Sequence, residues 1–518
     1  MKKVIVEKDS YYDSVFLMLI NKQVKQFEGV TDAVVSMGTE MNLELLGDLG
    51  FKSPALDAAG ANDLIVAIEA EAEDVVEEAL GSAKALLTAK RTGSASGQTF
   101  RPGSLDAAVQ NVPESNLVIV SLPGEYAARE ARKALNKGLH VMLFSDNVSL
   151  EQEIALKTLA AEKGLLMMGP DCGTAIINGM PLCFANVVRR GNIGIVAASG
   201  TGLQEVSCVI DKLGGGVTQA IGTGGRDLKN EKVGGTMMLM GIEALKNDPN
   251  TKVIVVVSKP PAESVAGKVI GALAESGKPS VVQFIGMKPG AERQGIHYAA
   301  NLEEAAGMAV ALAAGAQYKT HAFTLPESTV KELVERESNR FAPQQKFLRG
   351  LFTGGTLADE ALLLLDGNIG KVYSNNQSKK ELIPEDPQVS IEHTIVDLGD
   401  DVFTVGRPHP MIDPSTREER ILKELEDPEV AIMMLDIVLG YGSHGDPAGA
   451  ILDSLKQAKA RQAAAGGYLS IVASITGTER DFQNLSGQKA KLESIGCVVM
   501  PSNYQAAMLV REILRKVA

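Results

Sequence analysis

The stretch that decides the fold is Gly191–Gly202, GNIGIVAASGTG, an apolar run that ends in a turn of small residues. A second stretch, Leu351–Ala358, has the sequence LFTGGTLA and the same shape. A short apolar run bounded by a glycine turn and followed by a helical pattern predicts a buried strand of a parallel sheet. Both stretches therefore predict strand–turn–helix units of an α/β protein.

The residues that follow these two stretches repeat in the same order. An acidic residue lies on each predicted helix, and a glycine-rich element with acidic residues comes next. An Asp-Pro turn then precedes a fully apolar strand, and a helix rich in small residues closes each copy. The paired features are Glu205 and Glu360, Gly222–Asp227 and Asp397–Asp401, Asp248-Pro249 and Asp427-Pro428, and helices that begin near Leu302 and Tyr504. This shared order predicts a duplicated α/β domain.

Composition narrows the class of protein. A chain of 518 residues that is 45% hydrophobic predicts several domains with sizeable cores. A net charge of −13 and only 4% aromatic residues argue against nucleic acid as a partner. The four cysteines form no CxxC pair, which predicts reduced thiols, no metal site and a cytoplasmic location. The chain has no apolar stretch of the ~18 residues that a membrane span needs, so we expect no membrane partner.

The two glycine turns are candidate anion sites. Ser199, Gly200 and Thr201 open one predicted helix, and Gly354, Gly355 and Thr356 open the other. Backbone N–H groups at a helix N-terminus bind phosphate, and hydroxyl groups add further donors. The alternative is that each turn contains glycine only because it connects a strand tightly to a helix.

The string Arg407–Pro414, RPHPMIDP, is the second candidate. Prolines on both sides of His409 predict an extended loop. Arg407 offers a two-pronged grip on phosphate or carboxylate, and His409 offers a donor or an acid–base group near neutral pH. The alternative is a rigid surface loop in which the histidine caps neighbouring backbone.

Three further cations follow predicted strands. Lys259, Arg226 and Arg480 fall at or just beyond strand carboxyl ends, where ligands bind in open α/β sheets. We interpret Lys259 and Arg226 as candidate catalytic residues and Arg480 as a candidate ligand contact. Each could instead be a surface cation with a carboxylate partner nearby, such as Asp227 or Asp481.

Longer strings resemble a known family. Met168–Thr174 (MGPDCGT), followed by Gly191–Thr201, resembles the alpha subunit of succinyl-CoA synthetase, and Gly224-Gly225 stands where that family has a Gly-Gly-Asp turn. We therefore include both glycines among the ligand-binding candidates. The second repeat resembles the CoA-ligase domain of the beta subunit. The closer resemblance is to the FdrA family, which fuses both ligase-type domains, and it rests on strings that include Val257–Glu263 and Asp397–Pro414.

The resemblance implies an α/β fold of four parts. These are an N-terminal α+β, ferredoxin-like module (1–91), a Rossmann-like CoA-binding domain (104–189) and two flavodoxin-like, succinyl-CoA-synthetase-type domains (190–316 and 348–518).

The chain departs from the synthetase in ways that bear on activity. The synthetase relays phosphate through a histidine loop, whereas here Met287–Gly295 contains no histidine and His297 begins the final predicted strand. Ser258–Ala262 replaces the Gly-Glu-Ile-Gly-Gly motif. The glycine-rich CoA turn has no counterpart before Leu117, and the chain has no room for an ATP-grasp domain. These losses argue against ATP-dependent thioester synthesis by the chain alone.

Three functions follow from the resemblance. The first, which we favour from the sequence, is a carbamoyltransferase subunit that acts with other subunits on oxamate or a similar small anionic substrate, using carbamoyl phosphate; the other two are alternatives. The second is an acyl-CoA synthetase of the NDP-forming type that borrows its nucleotide domain from another chain. The third is a non-catalytic subunit that binds CoA or a nucleotide. CoA is the cofactor that the resemblance implies.

Overall fold

The structure is a computed structural model that describes residues 1–8, 10, 12, 14–92, 102–287, 293–405 and 407–517. It divides into two compact units, one formed by 1–108 with 403–408 and the other by 109–402 with 409–518. Within the described residues, none of the helices combines the length and the apolar character that crossing a bilayer needs.

The first unit contains a three-stranded antiparallel sheet in the order β1-β3-β2. Side chains of β3 alternate between two apolar clusters, so that Val66 and Ile68 pack with Leu17, whereas Ile65 packs with Phe51. This alternation is the period of two that a strand buried on both faces requires. The elements are β1 (Lys2–Glu7), α1 (Ser14–Lys25), β2 (Val30–Met37), α2 (Glu40–Asp48), α3 (Pro54–Asp57), β3 (Leu64–Ala70) and α4 (Glu73–Thr92).

A small parallel sheet, β4-β5-β6, follows along the chain. Helix α7 begins at the N-cap Ser149, which forms a capping box with Gln152, and ends at the left-handed Gly164. The elements are α5 (Leu105–Asn111), β4 (Leu117–Val120), α6 (Gly124–Asn136), β5 (His140–Leu143), α7 (Leu150–Lys163) and β6 (Met167–Met168).

The first repeat builds a seven-stranded sheet in the order β13-β12-β11-β9-β10-β7-β8. Its hairpin β7–β8 comes from the segment 104–189 that we predicted as a separate domain, so this part of that segment extends the sheet of the next one. The elements are β7 (Thr174–Ile177), β8 (Met180–Cys183), β9 (Arg190–Ala198), α8 (Gly200–Lys212), β10 (Val217–Gly222), α9 (Arg226–Lys229), α10 (Thr236–Asn247), β11 (Val253–Ser258), α11 (Glu263–Ser276), β12 (Ser280–Phe284), β13 (Ile296–Tyr298) and α12 (Leu302–Ala313).

The second repeat builds a six-stranded parallel sheet in the order β15-β16-β14-β17-β18-β19. The elements, with the preceding connector helix, are α13 (Glu327–Ser338), β14 (Phe347–Phe352), α14 (Gly355–Leu365), β15 (Val372–Ser374), a 3-10 turn (Lys380–Leu382), β16 (His393–Asp397), α15 (Asp401–Thr404), α16 (Ser415–Glu424), β17 (Val430–Val438), α17 (Pro447–Ala464), β18 (Ser470–Thr476), α18 (Leu485–Ser494), β19 (Val498–Met500) and α19 (Asn503–Val517).

The two sheets share one strand order. The strands before the two glycine turns, β9 and β14, occupy equivalent places in their sheets. On one side of them, β11, β12 and β13 correspond to β17, β18 and β19, and on the other side β10 corresponds to β16. All of these neighbours pair in parallel. One buried apolar cluster contains residues of both repeats, among them Leu203 and Leu357, so the repeats share a core.

The two repeated acids join the repeats reciprocally. Glu205 of α8 accepts hydrogen bonds from the N–H of Asn503 (3.1 Å) and the hydroxyl of Thr476 (2.5 Å). Glu360 of α14 accepts one from the N–H of Leu302 (2.8 Å). Each acid therefore satisfies a donor at the start of the other repeat's last helix, where the first N–H groups lack an intrahelical acceptor.

Candidate functional site

The N-termini of α8 and α14 meet at the carboxyl ends of the two sheets. Ser199 is the N-cap of α8, and its hydroxyl accepts a hydrogen bond from the N–H of Gly202 (3.1 Å). The same hydroxyl lies 2.7 Å from that of Thr356, and the N–H of Thr356 donates to the hydroxyl of Thr201 (3.3 Å). The structure therefore brings both predicted turns together in one place.

Carboxylates already occupy the α14 end. The N–H groups of Thr353 and Gly354 donate to Asp436 (2.9 and 2.8 Å), which is fully buried and paired with Arg417 (3.1 Å). A side chain added at Gly355 would collide with Asp397, so that carboxylate lies directly against the start of the helix. These acids neutralise the positive end of the helix dipole.

The α8 end is open by comparison. Gly200 is exposed, and a Cβ atom at this position would meet only the Thr174 hydroxyl, at 3.4 Å. Gly200 and Thr201 open the first turn, in which backbone N–H groups have no intrahelical acceptor. Hydroxyl groups of Thr174 and Thr201 therefore surround a helix N-terminus that solvent reaches. Of the two predicted cradles, this one has the chemistry of an anion site.

Lys259 adds a cation beside the junction. It follows β11, and its Nζ atom pairs with Asp359 of α14 at 2.8 Å. Asp397 lies on the same side and accepts hydrogen bonds from the N–H of Gly399 (2.9 Å) and from the Asn376 amide (3.2 Å). Burial raises the pKa of Asp397 to about 6, while Lys259 favours its charged form.

A second acid that titrates near neutral pH follows β6. Burial raises the pKa of Asp171 to about 6, and the nearby Asp146 and Asp401 raise it further, against the pull of Lys259. Carboxyl groups with pKa values raised toward neutrality, grouped with a lysine at strand carboxyl ends, are typical of acid–base sites.

Of the glycine pair at 224–225, Gly224 serves close packing, whereas a Cβ atom at Gly225 would meet only the Asp171 carboxylate, at 3.8 Å. Gly224 has φ +85°, and a side chain there would collide with the carbonyl of Pro170. The following Arg226 donates to the carbonyl of Val148 (2.7 Å) and pairs with buried Glu153 (2.8 Å). The partner of Arg226 is therefore Glu153 rather than Asp227, because Asp227 pairs with a different cation.

Lys157 completes this buried network. It pairs with both Glu153 (2.9 Å) and Asp227 (2.7 Å), and Asp227 also accepts the N–H of Met238 at the start of α10 (2.8 Å). In this arrangement Arg226 joins the start of α9 to α7 and to the loop before α7. Its predicted catalytic role therefore rests on the sequence alone.

Arg480 also faces a carboxylate. Its side chain is half exposed, and its Nε atom lies 3.9 Å from Asp211. The neighbouring Asp481 accepts hydrogen bonds from the amide of Asn186 (2.9 Å) and the N–H of Val187 (2.8 Å). The Thr476–Asp481 loop therefore connects the two repeats.

The RPHPMIDP string is divided between the two compact units. Arg407 belongs to the first unit, where its side chain is exposed and its N–H donates to the carbonyl of Thr404 (3.1 Å). His409 belongs to the second unit. Its ring centroid lies 5.8 Å from that of Phe184, and its Nδ1 accepts the N–H of Met411 (3.2 Å).

The environment of His409 bears on the two roles predicted for it, a hydrogen-bond donor or an acid–base group. Burial lowers its pKa to about 4, so the ring is neutral at pH 7. With Nδ1 acting as an acceptor, the proton of the neutral ring lies on Nε2. Of the two predicted roles, this arrangement favours the donor, and the role itself stays a prediction.

Sequence reasoning missed four residues of this site: Thr174, Asp171, Asp359 and Asp397. Asp397 is the last residue of β16, Asp171 lies three residues beyond β6, and each precedes a glycine by two positions, which is a signal that the sequence contains. The signals for Thr174 and Asp359 are weaker, because their places depend on how the hairpin and the two helices pack.

Comparisons with known proteins agree with this architecture. Three families match, described as CoA-ligase (residues 351–513), CoA binding domain (188–286) and AllF, heavy metal-associated domain (1–102). The CoA-binding match falls on the segment predicted as the first ligase-type domain, and the predicted domain boundaries stay predictions.

The protein YahF of Escherichia coli is 47% identical over 99% of both chains. Subunit alpha 2 of the ADP-forming succinate–CoA ligase of Archaeoglobus fulgidus is 27% identical over 38% of this chain and 68% of its own length. The ADP-forming sulfoacetate-CoA ligase subunit SauD of Bilophila wadsworthia is 24% identical, and this chain spans half of its length.

The match to the solved structure of a dinucleotide-forming acetyl-coenzyme A synthetase of Ca. Korarchaeum cryptofilum covers 79% of this chain and 85% of that chain. The sequence identity is 14% and the TM-score is 0.30.

The fold and the matching families thus define a protein of the CoA-ligase superfamily with the two ligase-type repeats of succinyl-CoA synthetase. More particularly, the chain belongs to the FdrA-type family, together with YahF.

The family name of the N-terminal module implies a metal that its residues do not fit. Heavy metals favour thiolate and imidazole ligands, and residues 1–102 contain neither cysteine nor histidine. Among the described residues, no group of three or more His, Cys, Asp or Glu side chains is arranged to hold a metal ion.

Proposed function

We propose that the chain is the CoA-handling subunit of an acyl-CoA ligase that acts on a small carboxylic acid through its acyl phosphate. The observation that carries the proposal is the meeting of α8 and α14, where the hydroxyls of Ser199 and Thr356 lie 2.7 Å apart beside Lys259. The matches to CoA-ligase and CoA-binding families support the same chemistry.

The α8 N-terminus suits the phosphate of an acyl phosphate. Its open first turn supplies N–H donors at Gly200 and Thr201, and the hydroxyl of Thr174 is close by. Donors placed where charge develops on the departing phosphate lower the barrier for its release. Lys259 supplies the positive charge that a chain of net charge −13 must provide locally.

In the proposed reaction, the thiol of CoA attacks the carbonyl carbon of the acyl phosphate. A C–S bond forms, the C–O bond to phosphate breaks, and the thiol proton passes to a base and then to the departing phosphate. Asp397, with a pKa of about 6, is the group that we assign as this base. The acyl phosphate itself forms on a nucleotide-binding domain that another subunit supplies.

Carbamoyl transfer is a second candidate. Carbamoyl phosphate is also an acyl phosphate, and its transfer to oxamate needs no phosphorylated histidine. The specific observation is that Met287–Gly295 has no histidine and that His297 lies within β13, paired with Val281. The succinate–CoA ligase subunit of Archaeoglobus fulgidus and the sulfoacetate-CoA ligase subunit SauD are named as CoA ligases, which favours the first candidate.

One assay separates the two candidates. The chain, alone and in complexes isolated from its host, is given CoA with acetyl or succinyl phosphate, or oxamate with carbamoyl phosphate. We expect loss of free thiol and formation of thioester in the first mixture. Carbamoylated oxamate without thioester would replace the ligase proposal with the carbamoyltransferase. CoA that neither binds nor reacts in any preparation would refute the ligase proposal.

Matched variants test whether Asp397 is the general base. Asp397→Asn should lower thioester formation by about 10²–10⁴-fold if the group is a general base. Asp453→Asn makes the same change on an exposed face of α17 and should leave the rate unaltered. Equal rates in both variants would remove Asp397 from the reaction.

A further inference from the structure

A cavity of about 570 Å³ lies beside the edge strand β19 of the six-stranded sheet. Helices α13 and α18 contribute Leu333 and Lys489 to its walls, and β19 contributes Met500. This volume falls within the roughly 300–1,000 Å³ of small-molecule sites. The connector that the sequence predicted as a linker, 317–347, thus forms one wall.

The cavity is separate from the candidate site. Two of its lining residues lie just before strands: Tyr468 precedes β18 by two positions, and Gly496 precedes β19 by two. Both lie at the amino ends of their strands, whereas the meeting of α8 and α14 lies at the carboxyl ends. A ligand in this cavity would therefore bind apart from the proposed reaction.

The acids of the cavity are already neutralised. Glu337 is buried, pairs with Arg336 (2.8 Å) and accepts hydrogen bonds from the hydroxyls of Tyr468 and Ser470 (2.8 Å each). Glu493 faces Lys489 at 3.6 Å. Neither carboxylate leaves a negative charge unopposed.

One cation is left over beside the same ring. The guanidinium carbon of Arg340 lies 3.7 Å from the centroid of the Tyr468 ring, and no acid of the described residues pairs with it. The Nζ atom of Lys459, a residue outside the cavity wall, lies 5.5 Å from that centroid and donates to the carbonyl of Gly496 (3.5 Å). The stacked arginine therefore offers a positive charge that an anion would stabilise.

The apolar side of the cavity limits the kind of anion. Leu325, Leu333, Val498 and Met500 line it together with the polar residues, and the two leucines are partly exposed whereas Val498 and Met500 are buried. An inorganic anion would leave Leu325 and Leu333 in contact with water, whereas an organic anion would cover them.

We propose that this cavity binds a small organic anion, with its carboxylate or phosphate against Arg340 and its apolar body against Leu325 and Leu333. A guanidinium stacked on a tyrosine keeps its edge free for a two-pronged contact with either head group.

Calorimetric titration of the full chain tests the site with octanoate, octyl phosphate and octanol as probes. We expect one molecule of octanoate or octyl phosphate to bind per chain, and octanol to bind at least about tenfold more weakly because it lacks the charge. Binding of only one of the two anions would support the site and identify its head group.

Matched variants complete the test. Arg340→Met keeps the stem over Tyr468 but removes the charge, and should weaken anion binding by roughly ten- to a hundredfold. Arg132→Met makes the same change on an exposed part of α6 and should leave the affinity unchanged. The proposal is overturned if neither anion binds saturably, or if Arg340→Met and the wild type bind both anions equally well while melting alike.

Discussion

At the scale of single residues, the two copies of the glycine turn have diverged in charge. Both turns start a helix, but Asp436 and Asp397 occupy the α14 end, whereas hydroxyls surround the α8 end. A carboxylate at a helix N-terminus stabilises the helix and removes an anion site at the same time. Under the proposed function, the α14 copy has a structural role and the α8 copy contacts the ligand.

Two neighbouring glycines of the α8 turn should respond differently to substitution. At Gly200 an added side chain projects into open space, so Gly200→Leu should obstruct phosphate or CoA binding without loss of stability. At Gly202 an added Cβ would collide with the Ser199 hydroxyl and disturb the cap, so Gly202→Ala should cost about 0.5–2 kcal/mol of stability.

Thermal melts and calorimetric titration with CoA and acetyl phosphate distinguish the two effects. Unchanged affinity in Gly200→Leu would argue that the ligand binds away from the α8 turn. A normal melt for Gly202→Ala would argue that the cap contributes nothing.

His409 should behave as a neutral donor. His409→Asn retains an acceptor for the N–H of Met411 but loses the Nε2 donor, so the rate should fall by roughly ten- to a hundredfold, the effect of one charge-assisted hydrogen bond. Because burial holds the pKa of His409 near 4, the variant should keep the wild-type pH dependence between pH 5 and 8. Loss of a pH-rate limb in that range would show that the imidazole carries a proton after all.

At the scale of elements, the sequence predicts the repeated strands and helices well. Helix α12 begins at Leu302, as the sequence predicts, and α19 begins at Asn503, one residue before the predicted Tyr504. Such elements follow from local patterns of apolar residues and glycine. The pairing of Glu205 with Asn503 joins residues nearly 300 positions apart, so it depends on how the two sheets pack and no local pattern reveals it.

Glu360 makes the junction of the repeats sensitive to pH. Burial raises the pKa of Glu360 from 4.5 to about 7. The folded chain therefore binds this proton more tightly than the unfolded chain does, and Glu360 makes stability fall as pH rises from 4.5 to about 7. Each pKa unit corresponds to about 1.4 kcal/mol.

Glu360→Gln should flatten that part of the pH–stability curve. Its amide keeps an acceptor for the N–H of Leu302. Its NH2 group would face the Asn503 amide nitrogen, which donates to Glu360 (2.8 Å), so the Asn503 amide must turn over to present its Oδ1 atom, which is buried without a hydrogen-bond partner. Denaturant titrations at pH 5 and pH 8 should show a smaller difference in the variant than in the wild type. Glu162→Gln, on an exposed position of α7, is the control that should keep the wild-type difference. An unchanged difference in Glu360→Gln would show that the acid is ionised throughout.

At the scale of the whole molecule, a shared strand order and a shared core make the two repeats one structural unit. The duplicated order of motifs predicts this from the sequence, since each motif marks a strand end. What the sequence leaves open is which copy binds a ligand, because Asp436 lies within an apolar strand and reaches the α14 turn only in the folded protein.

The whole-molecule prediction concerns phosphorylation. We expect that the purified chain given ATP or GTP with Mg²⁺ acquires no phosphohistidine. His297 lies within β13, and His409, the histidine near the α8–α14 junction, is held against Phe184 with Nδ1 committed to Met411. The measurement is acid-labile phosphate by ³²P transfer and mass spectrometry. A succinate–CoA ligase serves as the positive control and His297→Asn as the matched variant. Stoichiometric acid-labile phosphate that disappears in His297→Asn would show that the exposed side chain of His297, on the edge strand β13, accepts the phosphate. The chain would then share the phosphate relay of the synthetase.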